Sequence, residues 1–176
     1  MTDAAGQLAI RPASSDDVDT VAGILAEAAR WLAARGIEQW PADGFPVADI
    51  RDRIARGETY VAEADGHAVA TISLDWADPD MWGAAGTDGA AVYVHRLAVL
   101  RSAAGRRIGE QLLAWAAAQA LAAGRAQVRL DCVTANAQLC RYYVDRGWTH
   151  VRDITDEIGT ESLFQREAWS EVTATR

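Results

Sequence analysis

Apolar positions recur along the chain at two different spacings, and these divide it into strands and helices. Residues 8–13 read as a short first strand. Ser14 and Ser15 then offer helix caps, and Asp16 and Asp17 follow where the positive end of a helix favours acids. Val18, Val21, Leu25, Ala28 and Leu32 recur at helical spacing, so a first helix runs to about Ala34 and stops at Gly36. Val47, Ile50 and Ile54 make a short second helix ending at Gly57. Residues 59–64 and 67–74 are patterned as strands, and the Asp65-Gly66 pair between them is a strong hairpin signal.

Downstream, a stretch rich in Gly, Asp and Ala (residues 76–89) reads as a loop before a strand-like run at 90–99. A third helix is predicted over about 106–123, closed by Gly124. A strand at 127–133 and a fourth helix over about 137–146 follow. Two last strands fall at 148–154 and 162–168. The order β-α-α-β-β-β-α-β-α-β-β, without repeat or linker, predicts one α/β domain over residues 1–176 with its core at about 8–169. Its sheet is expected to be mixed, with antiparallel hairpins preceding two crossover helices.

Composition narrows the function. At 176 residues the chain can bury a real core, and 50% hydrophobic against 24% charged residues is globular. A net charge of −8 argues against nucleic acid or an anionic membrane as partner, since both require a basic face. No run approaches the roughly 20 apolar residues of a membrane span. Asp3 stands where a secretion signal would carry bases. A cytoplasmic, reduced setting is the expectation, and Cys132 and Cys140 are too few for a disulfide framework.

The segment YVHRLAVLRSAAGRRIGEQLL carries the first chemistry. A strand ends near Val99, a loop holds Ala103, Ala104 and Gly105, and a helix begins around residues 106–109. The N–H groups of a first helical turn have no intrahelical partners and form an anion site, which small residues let phosphates approach. Arg106 and Arg107 add charge beside it. A pyrophosphate-bearing ligand suits such a turn. The lysine and hydroxyl of a P-loop are missing, as is GxGxxG, which counts against nucleoside triphosphatases and Rossmann enzymes.

A second segment, RLDCVTANAQLCRYYVDRGW, leads from a strand to Asn136, a helix with paired tyrosines, and Gly147-Trp148. Together the two segments resemble the GNAT superfamily of N-acetyltransferases. Leu97 and Val99 hold the places of its L-x-V strand, and Gly109 the last small place of R/Q-x-x-G-x-G/A, before Leu112-Leu113. Asn136, Tyr143 and Gly147 fall at the spacing of N-x-x-A-x-x-x-Y-x-x-x-G-F. Ala104 replaces an Arg or Gln, Arg107 the middle Gly, Leu139 a small residue and Trp148 the Phe.

The resemblance implies a GNAT-like fold: a mixed, mostly antiparallel central sheet flanked by about four helices. It implies acetyl-CoA as co-substrate and transfer of its acetyl group to a primary amine, with a small-molecule amine as partner. No metal is expected, because three scattered histidines (His67, His95, His150) show no ligand spacing. A homodimer is a family-level expectation.

The resemblance also implies site residues. Backbone amides of Leu97, Ala98 and Val99 would polarise the thioester. Ala104, Gly105, Arg106, Arg107, Ile108 and Gly109, with Asn136 and Tyr143, would bind the donor. Tyr143 would give a proton to the departing thiolate. The amine itself must lose a proton: at pH 7 an alkylammonium of pKa ~10.4 needs ~4.6 kcal/mol for this. His95 is the candidate base, because alternation along the strand sets it on the face of Leu97 and Val99 and the H-x-L-x-V place of arylalkylamine enzymes carries one. A buried structural histidine is the alternative. Tyr93 would extend a water chain on the same face.

In the family the loop between the first two helices covers the acceptor pocket. Glu38, Trp40 and Asp75 are thus candidates to bind a cationic substrate; core or dimer packing is the other explanation of the tryptophans, of which the chain has seven. Rival functions are a protein or peptide N-acetyltransferase, a toxin acting on aminoacyl-tRNA, and a non-catalytic coenzyme A-binding module of the same fold.

Overall fold

In the computed structural model, residues 8–170 are described; the N-terminal segment read above for a leader lies outside them. The elements are β1 (Ala9–Pro12), α1 (Val18–Ala33), α2 (Val47–Ala55), β2 (Thr59–Ala64), β3 (His67–Asp75), α3 (Pro79–Trp82), β4 (Ala91–Val99), α4 (Ile108–Ala122), β5 (Gln127–Val133), α5 (Ala137–Asp145), β6 (Thr149–Thr155) and β7 (Thr160–Glu167). The strands hydrogen-bond in the order β1-β2-β3-β4-β5-β7-β6. The β1–β2, β2–β3, β5–β7 and β6–β7 pairs are antiparallel, and β4–β5 is parallel. The mixed, mostly antiparallel sheet is thus as expected from the sequence. Among the described residues no helix is long and apolar enough to cross a membrane.

The chain divides into two compact units. One comprises residues 8–73 with Arg96–Gly109. Its core joins Val18, Val21, Ile24 and Leu25 of α1 to Ile50 and Ile54 of α2, Val61 of β2 and Ala98 of β4. Helical periodicity aligns the α1 residues on one stripe, which is why they meet a common partner face. Gly36, at φ 70°, ends α1, with its N–H bonded to Ala33 and that of Ile37 to Leu32. At the start of α1, Asp17 accepts from the two terminal guanidinium nitrogens of Arg11 at 2.7 and 2.8 Å and from the Ser14 N–H at 2.7 Å. Asp65 (φ 54°) and Gly66 (φ 76°) form the left-handed pair of the β2–β3 hairpin.

The other unit comprises Leu74–His95 and residues 110–170. Trp82, Ala91, Tyr93 and Leu163 form one of its cores. Its β4–β5 ladder runs from Ala91/Gln127 to Val94/Leu130, and both strands continue beyond that last pair.

Three sequence expectations change. Residues 76–89 are not a simple loop: Asp78 caps the short helix α3, Pro79 sits in its first turn, and residues 83–87 form a turn of 3-10 helix. A proline fits the first helical turn because its missing N–H would have no partner there. With α3 there are five α-helices among the described residues, in keeping with the expectation of about four. The third predicted helix begins at Ile108 instead of Arg106, because Gly105 and Arg107 both hold positive φ, 81° and 57°. Strict alternation along β4 also fails, since Arg96 lies in the left-handed region at φ 49°, between His95 and Leu97. The period-2 argument for a shared face does not carry across it.

Candidate active site

The turn from β4 to α4 is built for close backbone approach. A short 3-10 segment, Arg101–Ala103, ends in Ala104, which is extended. Gly105, Arg106 and Arg107 then alternate in the sign of φ, as only the first and last are positive. Alternating hand turns successive N–H groups toward one concave side, the arrangement that receives anions. Residues 104–107 are exposed, Ile108 is buried and Gly109 is half-buried. A Cβ on Gly109 would meet only Leu97, at an ordinary 3.8 Å, so protein packing does not demand glycine there. Glycine inside a helix costs about 0.5–1 kcal/mol relative to alanine. Leu97 and Val99 are half-buried and Ala98 is buried in β4.

The second constellation centres on His95. Its Nε2 lies 3.3 Å from Asp78 Oδ2 and 3.6 Å from Asp75 Oδ2, and its Nδ1 lies 3.6 Å from Asp131 Oδ1. Asp75 closes β3, Asp78 caps α3 and Asp131 stands on β5. Glu161 on β7 shares a hydrogen bond with Asp131. Asp75 and His95 were legible as candidates; Asp78, Asp131 and Glu161 were not, since they stand on three separate elements that only the fold joins.

Electrostatics in this cluster run in one direction. Burial pulls the His95 imidazole down, yet Asp78, Asp131 and Asp75 outweigh it and leave its pKa above the ordinary value. Burial pushes Asp131 up, aided by Asp78 and only partly opposed by His95. Burial and the neighbouring Asp131 push Glu161 up to about 7. Asp78 Oδ1 accepts from the Met81 N–H at 3.3 Å, whereas Asp78 Oδ2 and Asp131 Oδ1 are buried without a hydrogen-bond partner. One ligand atom from each of Asp78, His95 and Asp131 lies within 4.8 Å of the other two, a gathering of acids that the sequence spacing gave no reason to expect.

The loop that delivers Asp78 is held from beneath. Buried Arg129 donates to the Ala85 carbonyl at 2.6 Å, the Tyr93 hydroxyl at 2.9 Å and Gln127 at 2.8 Å, and faces Asp88 at 3.4 Å. Tyr93 donates its own hydroxyl to the same Ala85 carbonyl at 2.7 Å. Tyr93 is 1% exposed, and both functions of its hydroxyl are committed here. It is a strut under the site, and we assign it no contact with substrate.

Asn136 is buried and caps α5, accepting from the Leu139 N–H at 3.2 Å. Tyr143 on the same helix is buried, with ring centres 5.5 Å from Tyr142, 5.7 Å from Trp148 and 5.5 Å from Phe164. Burial, with smaller repulsions from Cys132 and Tyr142, drives its phenol well above the ordinary range, so it stays protonated. Cys132 and Cys140 are free thiols with sulfurs 3.6 Å apart.

Glu38 is exposed, and Trp40 packs edge-on against Phe45 at 5.5 Å beside the α1–α2 core. Trp31 and Trp76 have arginines of their own chain over their rings: Arg35 at 3.9 Å and Arg101 at 4.4 Å for Trp31, and Arg125 at 5.4 Å for Trp76. His67 donates from Nδ1 to the Asp65 carbonyl at 2.9 Å, and His150 pairs with Asp153 at 2.7 Å.

The profile of the acetyltransferase (GNAT) family matches residues 25–148. The chain belongs to this family. It is 32% identical over 167 residues to the uncharacterized N-acetyltransferase YesJ of Bacillus subtilis, covering 91% of this chain and 90% of that one. Among solved structures, a GNAT-family acetyltransferase from Listeria monocytogenes is 26% identical with a TM-score of 0.78, covering 95% of this chain and 98% of that one. The structure of yncA from Salmonella typhimurium, with its cofactor acetyl-CoA, shares the fold at 17% identity and a TM-score of 0.65, covering 93% and 95%. The protein is thus an acetyltransferase of the GNAT family, and acetyl-CoA is the donor its family points to.

Proposed function

We propose that this GNAT protein is an acetyl-CoA-dependent N-acetyltransferase that acetylates a primary amine of a small molecule by direct attack on the thioester. The observation that carries this reading is His95 held between Asp131 at one ring nitrogen and Asp78 and Asp75 at the other. Acids on both sides orient the imidazole and keep its affinity for a proton high, with Asp78 nearer to Nε2 than Asp131 is to Nδ1. A histidine with a raised pKa is also a stronger base, which narrows the gap to an alkylammonium.

The turn at Ala104, Gly105, Arg106 and Arg107, leading into Ile108 and Gly109, fits the pyrophosphate of the donor through its backbone amides. We assign the amides of Leu97, Ala98 and Val99 to the thioester arm, and Asn136 to shaping the start of α5. Acetyl-CoA supplies an activated acyl carbon. The amine nitrogen gives its proton to the neutral His95 imidazole and bonds to that carbon, and the C–S bond breaks with its electron pair on sulfur. Tyr143 stabilises the thiolate by donating a hydrogen bond. Its phenol is less acidic than a thiol (pKa about 10 against about 8.5 before burial), so the thiolate draws its final proton from solvent. With both cysteines free, we place the protein in the cytoplasm, where thiols stay reduced.

The test is thermal unfolding with acetyl-CoA, coenzyme A and ATP, followed by thiol release with a panel of amines. Saturation at about 100 times the dissociation constant stabilises the fold by about 2.7 kcal/mol. A shift with both coenzyme A forms and none with ATP, and thiol release that His95→Ala abolishes, are expected. Thiol release undiminished in His95→Ala would remove the histidine from the mechanism.

A further inference from the structure

We propose that Cys132 and Cys140 form a reversible disulfide when the chain meets a peroxide, and that this bond weakens acetyl-CoA binding by displacing the start of α5. The disulfide stands apart from the transferase reading; its effect on the donor rests on that reading.

The fold brings together two thiols that differ in access. Cys132 is the last residue but one of β5, and Cys140 lies on α5. Their sulfurs are 3.6 Å apart, in contact, and they are the only cysteines of the chain. A disulfide holds its sulfurs about 2.05 Å apart, so about 1.5 Å of approach completes the bond. Cys132 is buried and Cys140 is half-buried, so an oxidant in solution meets Cys140 first.

The chemistry divides between the two sulfurs. Burial, then the neighbouring Cys140 sulfur, pushes the Cys132 thiol far above its ordinary range. Two thiolates in contact repel, so one sulfur ionises at a time, and the accessible one is the nucleophile. The Cys140 thiolate attacks a peroxide oxygen. The O–O bond breaks, leaving a sulfenic acid on Cys140 and a hydroxide that takes up a proton as water. The Cys132 sulfur then attacks the sulfenic sulfur. An S–S bond forms as the S–O bond breaks, and the Cys132 proton leaves with the departing oxygen as a second water. Each sulfur is oxidised by one electron, and the peroxide is reduced by two. A resolving thiol already in contact favours this outcome over further oxidation of the sulfenic acid. Disulfides of this transient kind serve as redox sensors in reducing compartments.

Closure moves α5 rather than β5. Cys132 stands opposite Ser162 and Val133 opposite Glu161 in the β5–β7 ladder. Just beyond, the Thr134 N–H donates to the Thr160 carbonyl at 2.8 Å, and its hydroxyl meets that of Ser162 at 2.8 Å. The sheet thus fixes the Cys132 end. The ring closed by the disulfide contains Asn136, whose side chain caps α5 at the Leu139 N–H. Tyr143 follows Cys140 by three positions and shares its helix face. Drawing Cys140 toward β5 therefore shifts Asn136 and Tyr143 together, the two α5 residues assigned to the donor.

The experiment treats reduced, desalted protein with hydrogen peroxide, ends the reaction with catalase, and reads intact mass and iodoacetamide labelling. Calorimetry then measures binding of acetyl-CoA, which has no thiol to reduce the bond. Cys140→Ser and Cys132→Ala are treated alike. The wild type is expected to lose two hydrogens and both alkylation sites. Its acetyl-CoA dissociation constant should rise about 10-fold, within the usual span for coupled sites. Dithiothreitol followed by desalting should restore all three readings, and neither variant should lose affinity after peroxide. Thiols still alkylated, or oxidation to sulfinic acid without a disulfide, would overturn the couple. A disulfide with unchanged acetyl-CoA affinity, or an equal loss in treated Cys140→Ser, would overturn the switch. A disulfide in a chain whose reduced form never binds acetyl-CoA would sink the donor reading and the switch with it, and support the couple alone.

Discussion

Gly86 lies against the backbone of Asp78 with no room for a side chain: a Cβ on it would stand 2.6 Å from the Pro79 nitrogen and closer still to the Asp78 carbonyl. The same contact is stitched by the Asp78 N–H, which donates to the Gly86 carbonyl at 2.9 Å. Gly86 thereby sets where Asp78 can be, and Asp78 sets one side of His95. Because the obstacle is backbone, Gly86→Ala must move the loop. We expect a loss of about 1–3 kcal/mol, the usual cost of overpacking. The decisive readout is the His95 pKa by NMR titration, which should fall toward its ordinary value as Asp78 retreats. An unchanged His95 titration in a destabilised Gly86→Ala protein would uncouple this loop from the site.

Arg129 and Tyr93 grip one carbonyl, that of Ala85, from below the same loop. Removing Tyr93's hydroxyl leaves Arg129 still donating to it, so Tyr93→Phe should cost about 1 kcal/mol in denaturant unfolding. Arg129→Met strips that carbonyl, Gln127 and Asp88 of a cationic partner at once. It should cost about 2–3 kcal/mol, because hydrogen bonds from a charged donor are worth more than neutral ones and Gln127 is left without its donor. Equal costs for the two variants would mean that Arg129 contributes no more than a neutral hydrogen bond.

The pH dependence of stability and of activity should run in opposite directions. His95, Asp131 and Glu161 all have raised pKa values in the fold. A raised pKa means that the folded chain binds the proton more tightly, so this stability is complete below the unfolded values and is lost as pH rises through the folded ones. For Glu161 the window opens near ~4.3 and closes near about 7. For His95 it opens near ~6.5 and extends upward. The melting temperature should therefore fall from pH 5 to pH 8, and Asp131→Asn should flatten the fall. The acetylation rate should rise over pH 7 to 9 as His95 becomes neutral, with its midpoint moved down in Asp78→Asn. A rate that is flat over that range would argue against His95 as the base.

The fold was largely legible because each of its signals is local. The period of Val18, Val21 and Leu25 and the Asp65-Gly66 turn act within a few residues, and the structure has both. Helix α3 was missed because its cap, Asp78, and its first residue, Pro79, sit in a stretch whose Gly and Ala content reads as loop. The alternation along β4 misled at Arg96, where a left-handed residue in a strand leaves no trace in a binary pattern. His95 was visible by its place on the central strand. Its carboxylates were not, because Asp78 and Asp131 lie 17 and 36 positions away on either side in the sequence, and no spacing rule joins them. Tyr93 was rightly placed on β4, but its role followed from Arg129, a charge whose burial the sequence does not advertise.

Gly105 and Gly109 should separate the needs of the fold from those of the donor. Gly105 has open space around a Cβ but holds φ 81°, so alanine there is strained by backbone alone, at roughly 1 kcal/mol. Gly109 lies within α4, and a Cβ there meets only Leu97 at 3.8 Å. Gly109→Ala should therefore stabilise the free protein by about 0.5–1 kcal/mol, from reduced chain entropy in the unfolded state. If the α4 amino terminus receives the donor's phosphates, the same methyl group should weaken acetyl-CoA binding, about 10-fold or more by calorimetry. A gain in both stability and acetyl-CoA affinity would place the donor's phosphates away from this turn.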